Sequence, residues 1–252
     1  MPNKYHVTIL MRSYKSWNTL PDAIESAKAQ TAFKLPGERY AILGVVPIED
    51  TRTTKIFRKN GIEVIHTAKP DITEQSNIGF AAADSDYVLI FDSDDYLYPN
   101  TLLSLAYLAD RTRADLVYCD FEMWSPDGFE GIVPCHDGQY DLTQACFITD
   151  SSLYNRNSWY TIGGFDESLW RYAWWDYFLR LWKGKYKILH LPFQGFRYRV
   201  GPDQLSSRLH RGDVQEQDDP VWEKFKQKHS LSNAQTIGHG GKWYDWGQTC
   251  PA

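Results

Sequence analysis

Residues 87–91 form an unbroken apolar run, Tyr-Val-Leu-Ile-Phe, that stops at Asp92-Ser93-Asp94-Asp95. A short run of β-forming residues bounded by charge reads as a buried strand, the kind found in a sheet covered on both faces. Three carboxylates at the end of such a strand repel one another unless a cation, protons or hydrogen bonds compensate them. A divalent ion is the simplest compensation, because hard oxygen ligands suit Mg²⁺ or Mn²⁺ and such ions share their shell with substrate phosphates. Taken alone, the same residues also fit a helix N-cap with extra acids in a solvated turn. A calcium loop of the EF-hand type is excluded, since its sixth position needs Gly and its twelfth Glu, and these are Leu97 and Leu103. A phosphatase of the haloacid dehalogenase type, with Asp92 as nucleophile, is a more serious rival. Its motif stands near the start of the chain, however, whereas several strands precede this one.

The first half alternates short apolar runs with amphipathic stretches. Residues 5–11 are rich in β-formers, and residues 19–30 space Leu20, Ile24 and Ala27 as a helix does. Residues 39–46 and 62–66 read as further strands, with helical segments near 53–59 and 74–83. A helix over 101–111 and a fifth strand over 115–121 continue the pattern. This alternation predicts an α/β fold, a mostly parallel central sheet with helices on both faces. Ligands bind such sheets at the carboxyl ends of the strands, so the residues after Met11, Val46, His66 and Phe91 are expected to converge on one cleft. Beyond Phe121 the texture changes, with nine of the ten tryptophans lying from Trp124 onward. An aromatic-rich region is expected there, then a helix over 221–229 and a Gly-rich, aromatic end.

A net charge of -5 over 252 residues gives no global attraction to nucleic acid or anionic lipid. No apolar run reaches the ~20 residues of a membrane-spanning helix. The first residues carry no basic stretch, apolar run and cleavage site, so a cytoplasmic location is expected, with peripheral membrane docking left open. Cys119, Cys135, Cys146 and Cys250 form no CxxC pair and read as reduced thiols.

Three blocks fix the context. Residues 7–31 run from a strand through Arg12-Ser13-Tyr14 into a helix closing with Ala-Gln-Thr. Residues 76–102 hold Asn77-Ile-Gly79 and then the strand ending in Asp92-Ser-Asp94-Asp95, with Pro99 after it. Residues 151–188 hold Gly163-Gly164-Phe165-Asp166-Glu167 and then Trp174-Trp175-Asp176-Tyr177 opening a helix. In this order the blocks closely resemble the family 2 glycosyltransferases, over about residues 5 to 207. The resemblance implies a GT-A-like fold and a metal-dependent, inverting transfer of sugar from a nucleotide-diphosphate sugar to an acceptor hydroxyl. The donor implied is a UDP-sugar before others, and the acceptor a glycan or other hydroxyl-bearing molecule, with envelope polysaccharide first by family habit. It also implies one domain over 1–211, with a nucleotide-sugar-binding half (1–121) and an acceptor-binding half (122–211). Residues 212–252 are then a C-terminal helix and tail that packs on the domain or is partly mobile.

Roles follow by position. Asp94 matches the metal ligand and Asp92 the residue that reaches the ribose or assists with the metal. Arg12, Tyr14, Asn77, Ser93 and Arg199 match donor-binding positions, and Gly163, Gly164, Asp166, Trp174 and Trp175 acceptor-side ones. Asp176 matches the general base that takes the acceptor proton, although as a bare residue it would serve equally as an N-cap on a helix over 177–182. Arg12 could likewise be a surface ion pair, Tyr14 ordinary packing and the tryptophans core. The chain departs from the family in the base-reading loop after the second strand, where Glu49 or Asp50 is expected to take the donor-binding part of the usual aspartate, at Ser76, which stands for an Arg, and at Trp175, which stands for the first acid of a Glu-Asp pair. The apolar neighbour is expected to raise the pKa of Asp176. The usual metal-closing histidine is missing, with Asp203 or His210 as substitutes. The altered loop also keeps an inactive sugar-binding homologue in play.

Overall fold

The computed structural model describes residues 6–34, 39–133, 142–144, 146–201 and 220–231. The alternation read from the first half is present. Strand β1 (His6–Arg12) leads to helix α1 (Leu20–Lys28), which buries Leu20, Ala23, Ile24 and Ala27 along one stripe. Strand β2 (Arg39–Pro47), helix α2 (Thr51–Lys59), strand β3 (Glu63–Thr67), helix α3 (Ile72–Ala82) and strand β4 (Tyr87–Asp92) follow. Asp50 caps α2 and Asp71 caps α3, each accepting from backbone N–H groups of the first turn.

After a short strand β5 (Tyr96–Leu97), helix α4 (Thr101–Thr112) leads into the long strand β6 (Leu116–Ser125) and its hairpin partner β7 (Gly128–Val133). Strand β8 (Leu153–Asn155), helix α5 (Arg156–Ile162), a 3-10 turn (Glu167–Tyr172), helix α6 (Ala173–Lys183) and strand β9 (Ile188–Arg199) complete the body, and helix α7 (Pro220–His229) packs on the 3-10 turn and α6. The change of texture at Phe121 does not interrupt the sheet. Among the described residues the strands run in the order β3-β2-β1-β4-β8-β6-β9-β5, with β7 on β6. The first four are parallel, β8 is inserted antiparallel, and β6 and β9 are parallel again.

The tryptophan-rich half is core more than surface. Tyr154 of β8 meets Phe80 of α3, Phe165, and Tyr177 and Phe178 of α6, with ring centroids 5.5 to 6.4 Å apart. Trp222 and Phe225 of α7 stack against Tyr172 and Trp175. Cys119 and Cys146 are free thiols, whereas Cys135 and Cys250 lie outside the described residues, as does the chain from 232 on. No helix among the described residues is long and apolar enough to cross a membrane.

Gly79 lets α3 lie against β1, because a Cβ there would run into the side chain of Leu10, which is 0% exposed. Gly79→Ala is expected to destabilise the protein by about 1–3 kcal/mol through overpacking. Urea unfolding will read this as a lower midpoint at unchanged slope.

Candidate active site at the strand ends

Sheet register decides which side chains meet. In β1 and β4, Arg12 pairs with Asp92. Strand β8 runs against β4 with Leu153 opposite Leu89, and the Ile90 N–H donates to the Ser152 carbonyl at 3.3 Å. Continuing that register two residues brings Asp150 level with Asp92. Arg12, Asp92 and Asp150 thus share one rung, at the carboxyl ends of β1 and β4 and just ahead of the amino end of β8. The Arg12 guanidinium, 4% exposed, donates from one nitrogen to both Asp92 and Asp150, the latter at 2.7 Å, and from the other to Ser76 Oγ at 3.2 Å. It also lies under the Trp174 ring, 4.9 Å from the centroid. Arg12 is therefore not a surface ion pair. Burial opposes its charge, but the two aspartates outweigh that and hold the charge firmly in place.

The carboxylates on this rung are crowded. Burial first, with the charges of Asp150 and Asp94, moves the Asp92 carboxyl above the usual range despite Arg12. Asp95 is moved the same way by burial and by Asp94 and Asp92. Asp95 does not cap a solvated turn. It is 2% exposed, one oxygen accepts from the Arg199 N–H at 2.9 Å, and the other has no hydrogen bond among the described residues. Arg199 also donates from Nε to the Asp94 carbonyl at 2.8 Å, so strand β9 delivers it to the acidic turn. Ser93 is buried, and its carbonyl accepts from Thr19 Oγ1, anchoring the turn to the start of α1. This surplus of hard oxygen donors, one of them orphaned, suits a divalent cation that completes its shell with phosphate oxygens. No group of three or more His, Cys, Asp or Glu side chains placed to hold a metal by itself occurs among the described residues.

The other donor-side residues divide. Tyr14 is 37% exposed beside this cleft edge, with the Lys15 ammonium 4.7 Å from its ring centroid. Glu49 is exposed. Asp50 is engaged throughout: it accepts from Thr53 N and Oγ1, from Lys15 N at 2.6 Å and from Trp17 Nε1 at 3.2 Å, and these bonds overcome burial to lower its pKa. Arg52 covers the Trp17 ring at 4.4 Å. Asn77 lies away from the strand-end rung and holds a turn instead. Its amide donates to the Phe165 carbonyl and Glu167 and accepts from the Phe165 N–H, pinning the Gly163-Gly164 loop to α3. Both glycines have positive φ, +89° and +70°, which the turn closing α5 requires.

Helix α6 corrects the expected base. The helix begins at Ala173, so Asp176 lies within its first turn and is not its N-cap. Asp176 is 0% exposed, and Arg180 donates to one of its oxygens at 2.8 Å. His229 Nε2 at 2.8 Å and Lys228 Nζ at 2.6 Å hold the other. Burial alone would raise the Asp176 pKa, as the apolar neighbour suggested, but His229, Arg180 and Lys228 reverse the sign and lower it. An enclosed carboxylate with both oxygens occupied is not placed to receive an acceptor proton. Asp166 is tied to α7, accepting from Lys228 at 2.8 Å and also from Ser168, and these bonds overcome burial to lower its pKa to about 2. Trp175 faces α7 and donates to the Leu142 carbonyl, so it is turned away from the strand-end rung. Trp174 is the α6 residue turned toward the rung. It is 6% exposed, and its Nε1 has no partner among the described residues.

Asp150 was missed at the sequence level because β8 is only three residues long and its antiparallel register is set by β4 and β6. Asp203 and His210 lie outside the described residues.

Residues 8–189 match the family model described as Glycosyl transferase family 2. No curated protein matches the chain in sequence. Among solved structures, S. aureus TarS 1-349 in complex with UDP-GlcNAc is similar at TM-score 0.63 and 16% identity, over 92% of this chain and 74% of that one. The same fragment in complex with UDP gives 0.60 and 15%, over 90% and 72%. S. aureus TarS gives 0.59 and 16%, over 91% of this chain and 44% of that chain, so this chain spans less than half of that neighbour. At such identities the likeness speaks for the fold.

Because the Asp176 carboxyl is lowered in the folded state, its contribution to stability is complete above the unfolded carboxylate range and is lost as pH falls through the lower folded value. Asp176→Asn, which leaves Arg180 and Lys228 facing a neutral group, is expected to cost ~3 kcal/mol at neutral pH. Urea titrations from neutrality to pH 2 will show the difference between variant and parent shrinking below about pH 4. A difference independent of pH would sink this account.

Proposed function

The chain belongs to glycosyl transferase family 2, and from that membership we propose a transferase whose donor is a nucleoside diphosphate sugar, a UDP-sugar before others, and whose acceptor is a hydroxyl-bearing glycan. The observation that carries the reading is the strand-end rung, where a buried, fixed guanidinium adjoins a crowded set of carboxylates at the carboxyl ends of β1 and β4. The fold neighbours crystallised with UDP and UDP-GlcNAc support the choice of nucleotide.

In this reading Asp94, with Asp92, holds a divalent metal, Mn²⁺ or Mg²⁺, together with the diphosphate. Such an ion, when bound, stabilises the departing diphosphate as a Lewis acid. The residues of the chain do the rest. Arg12 places a permanent positive charge beside Asp92, where negative charge grows as the leaving group departs. Asp95 fixes the backbone of Arg199, whose guanidinium borders the acidic turn and can meet a phosphate oxygen. Stabilisation by groups already in position supplies a large share of the rate in such sites. Transfer is taken to invert the anomeric centre, by in-line attack of the acceptor hydroxyl. A nucleophilic role for Asp92, as in a phosphatase, is disfavoured by its bond to Arg12.

Thermal unfolding in the presence of UDP and Mn²⁺ is expected to show a rise in Tm that a chelator removes, since only ligands bound to the native state stabilise it. Asp94→Ala should remain folded, lose the metal-dependent part of the rise, and bind UDP at least tenfold more weakly. An undiminished rise in Asp94→Ala, or one indifferent to chelator, would remove the metal from the reading.

A further inference from the structure

Helix α6 offers no proton acceptor to the cleft. Asp176 is the one acid in its first turn, and that carboxylate is enclosed by Arg180, Lys228 and His229. The residue on the cleft side of the helix is Trp174, whose ring covers Arg12. The strand-end acids differ in what they have left to give. One oxygen of Asp92 is held by Arg12, and Asp92 and Asp94 are committed to the diphosphate in the reading above. Asp95 is 2% exposed beneath the Arg199 backbone.

Asp150 is in a different position. Its side chain is 29% exposed, it uses only Oδ2 toward Arg12, and its Oδ1 takes no hydrogen bond among the described residues. Its backbone is fixed on both sides. The Asp150 carbonyl accepts from Ser152 N at 2.7 Å and Tyr154 Oη at 2.9 Å, Ser152 Oγ donates to the Thr149 carbonyl, and Thr149 Oγ1 accepts from Ser151 N. A carboxylate with one oxygen steered by a guanidinium, the other open and the backbone locked is preorganised for a single task.

We propose that Asp150 is the catalytic base of the transfer, its Oδ1 accepting the proton of the attacking hydroxyl. The proposal rests on the transferase reading above. The acceptor oxygen forms its bond to the anomeric carbon while the bond from that carbon to the diphosphate oxygen breaks. The electron pair leaves with the nucleoside diphosphate, and the hydroxyl proton passes to Asp150 Oδ1. Arg12 then has two duties on one rung. It aligns the base through Oδ2 and stands beside Asp92 on the leaving-group side, so attack and departure are organised around the same cation.

The experiment measures UDP release from UDP-GlcNAc and a panel of UDP-sugars, with water and with 4-nitrophenol as acceptors, for the parent, Asp150→Asn and Asp150→Glu. Water requires a base to become a nucleophile, whereas 4-nitrophenol, assayed at about pH 8, is mostly phenolate and does not. Asp150→Asn is expected to lose ~10²–10⁴-fold with water, the usual contribution of a general base, and less than tenfold with 4-nitrophenol. Its affinity for UDP should stay within about threefold of the parent, and Asp150→Glu should recover part of the rate with water. An equal loss with both acceptors, or a matching loss of UDP affinity, would mean that Asp150 merely positions Arg12 and overturns the proposal. Parent-like release by Asp150→Asn overturns it as well. A parent that releases no UDP from any UDP-sugar overturns the donor reading and this one with it, whereas the outcomes above, with an active parent, overturn this proposal alone.

Discussion

One guanidinium ties the ends of three strands together. Arg12 leaves β1, reaches Asp92 at the end of β4 and Asp150 ahead of β8, and is closed over by Trp174 from α6. A buried cation without partners costs several kcal/mol, so its carboxylates cannot drift apart without exposing that penalty. The antiparallel insertion of β8 beside β4 is therefore locked electrostatically as well as by its short ladder.

Two populations of carboxylate result, separated by environment and not by residue type. At the strand ends Asp92 and Asp95 are crowded by like charge and by burial, which makes their ionised forms expensive. Beneath α7, Asp166 and Asp176 are surrounded by cations and hydrogen-bond donors, which favours theirs. Crowded acids gain from an incoming cation, while satisfied acids have nothing further to bind. The site and the scaffold can thus be told apart by how much each acid still lacks.

Much of this was legible in the sequence. Short apolar, β-forming runs located β1 to β4, and the helical stretches between them located α1 to α4, each within a few residues. The acidic strand end stood out because charge rarely follows so apolar a run directly. Asp150 was hidden for a topological reason: three residues of strand carry little pattern, and only the pairing of Leu153 with Leu89 brings Asp150 level with Asp92. Asp176 was misread through helix phase. Starting α6 at Ala173 puts Asp176 and Arg180 on one face, four residues apart, and turns Trp174 roughly 200° away from Asp176, toward the rung. A displacement of two residues along a helix decided which side chain met the cleft. Asn77 was misplaced for a similar reason, since its partners lie some ninety residues away on the Phe165–Glu167 loop.

Helix α7 supplies Lys228 and His229 to Asp176 across more than fifty residues of chain. On a ribosome this ordering in time matters. The parallel strands β1 to β4 can assemble as soon as they emerge, but one oxygen of Asp176 waits for the very end of the described body. During that interval, at ~5–20 residues per second, α6 carries a carboxylate whose only partner is Arg180, with Tyr172 and Trp175 uncovered beside it. The packing of α7 on α6 and the 3-10 turn is therefore the last part of the described body to become native during synthesis, and the aromatic faces it covers stay open longest.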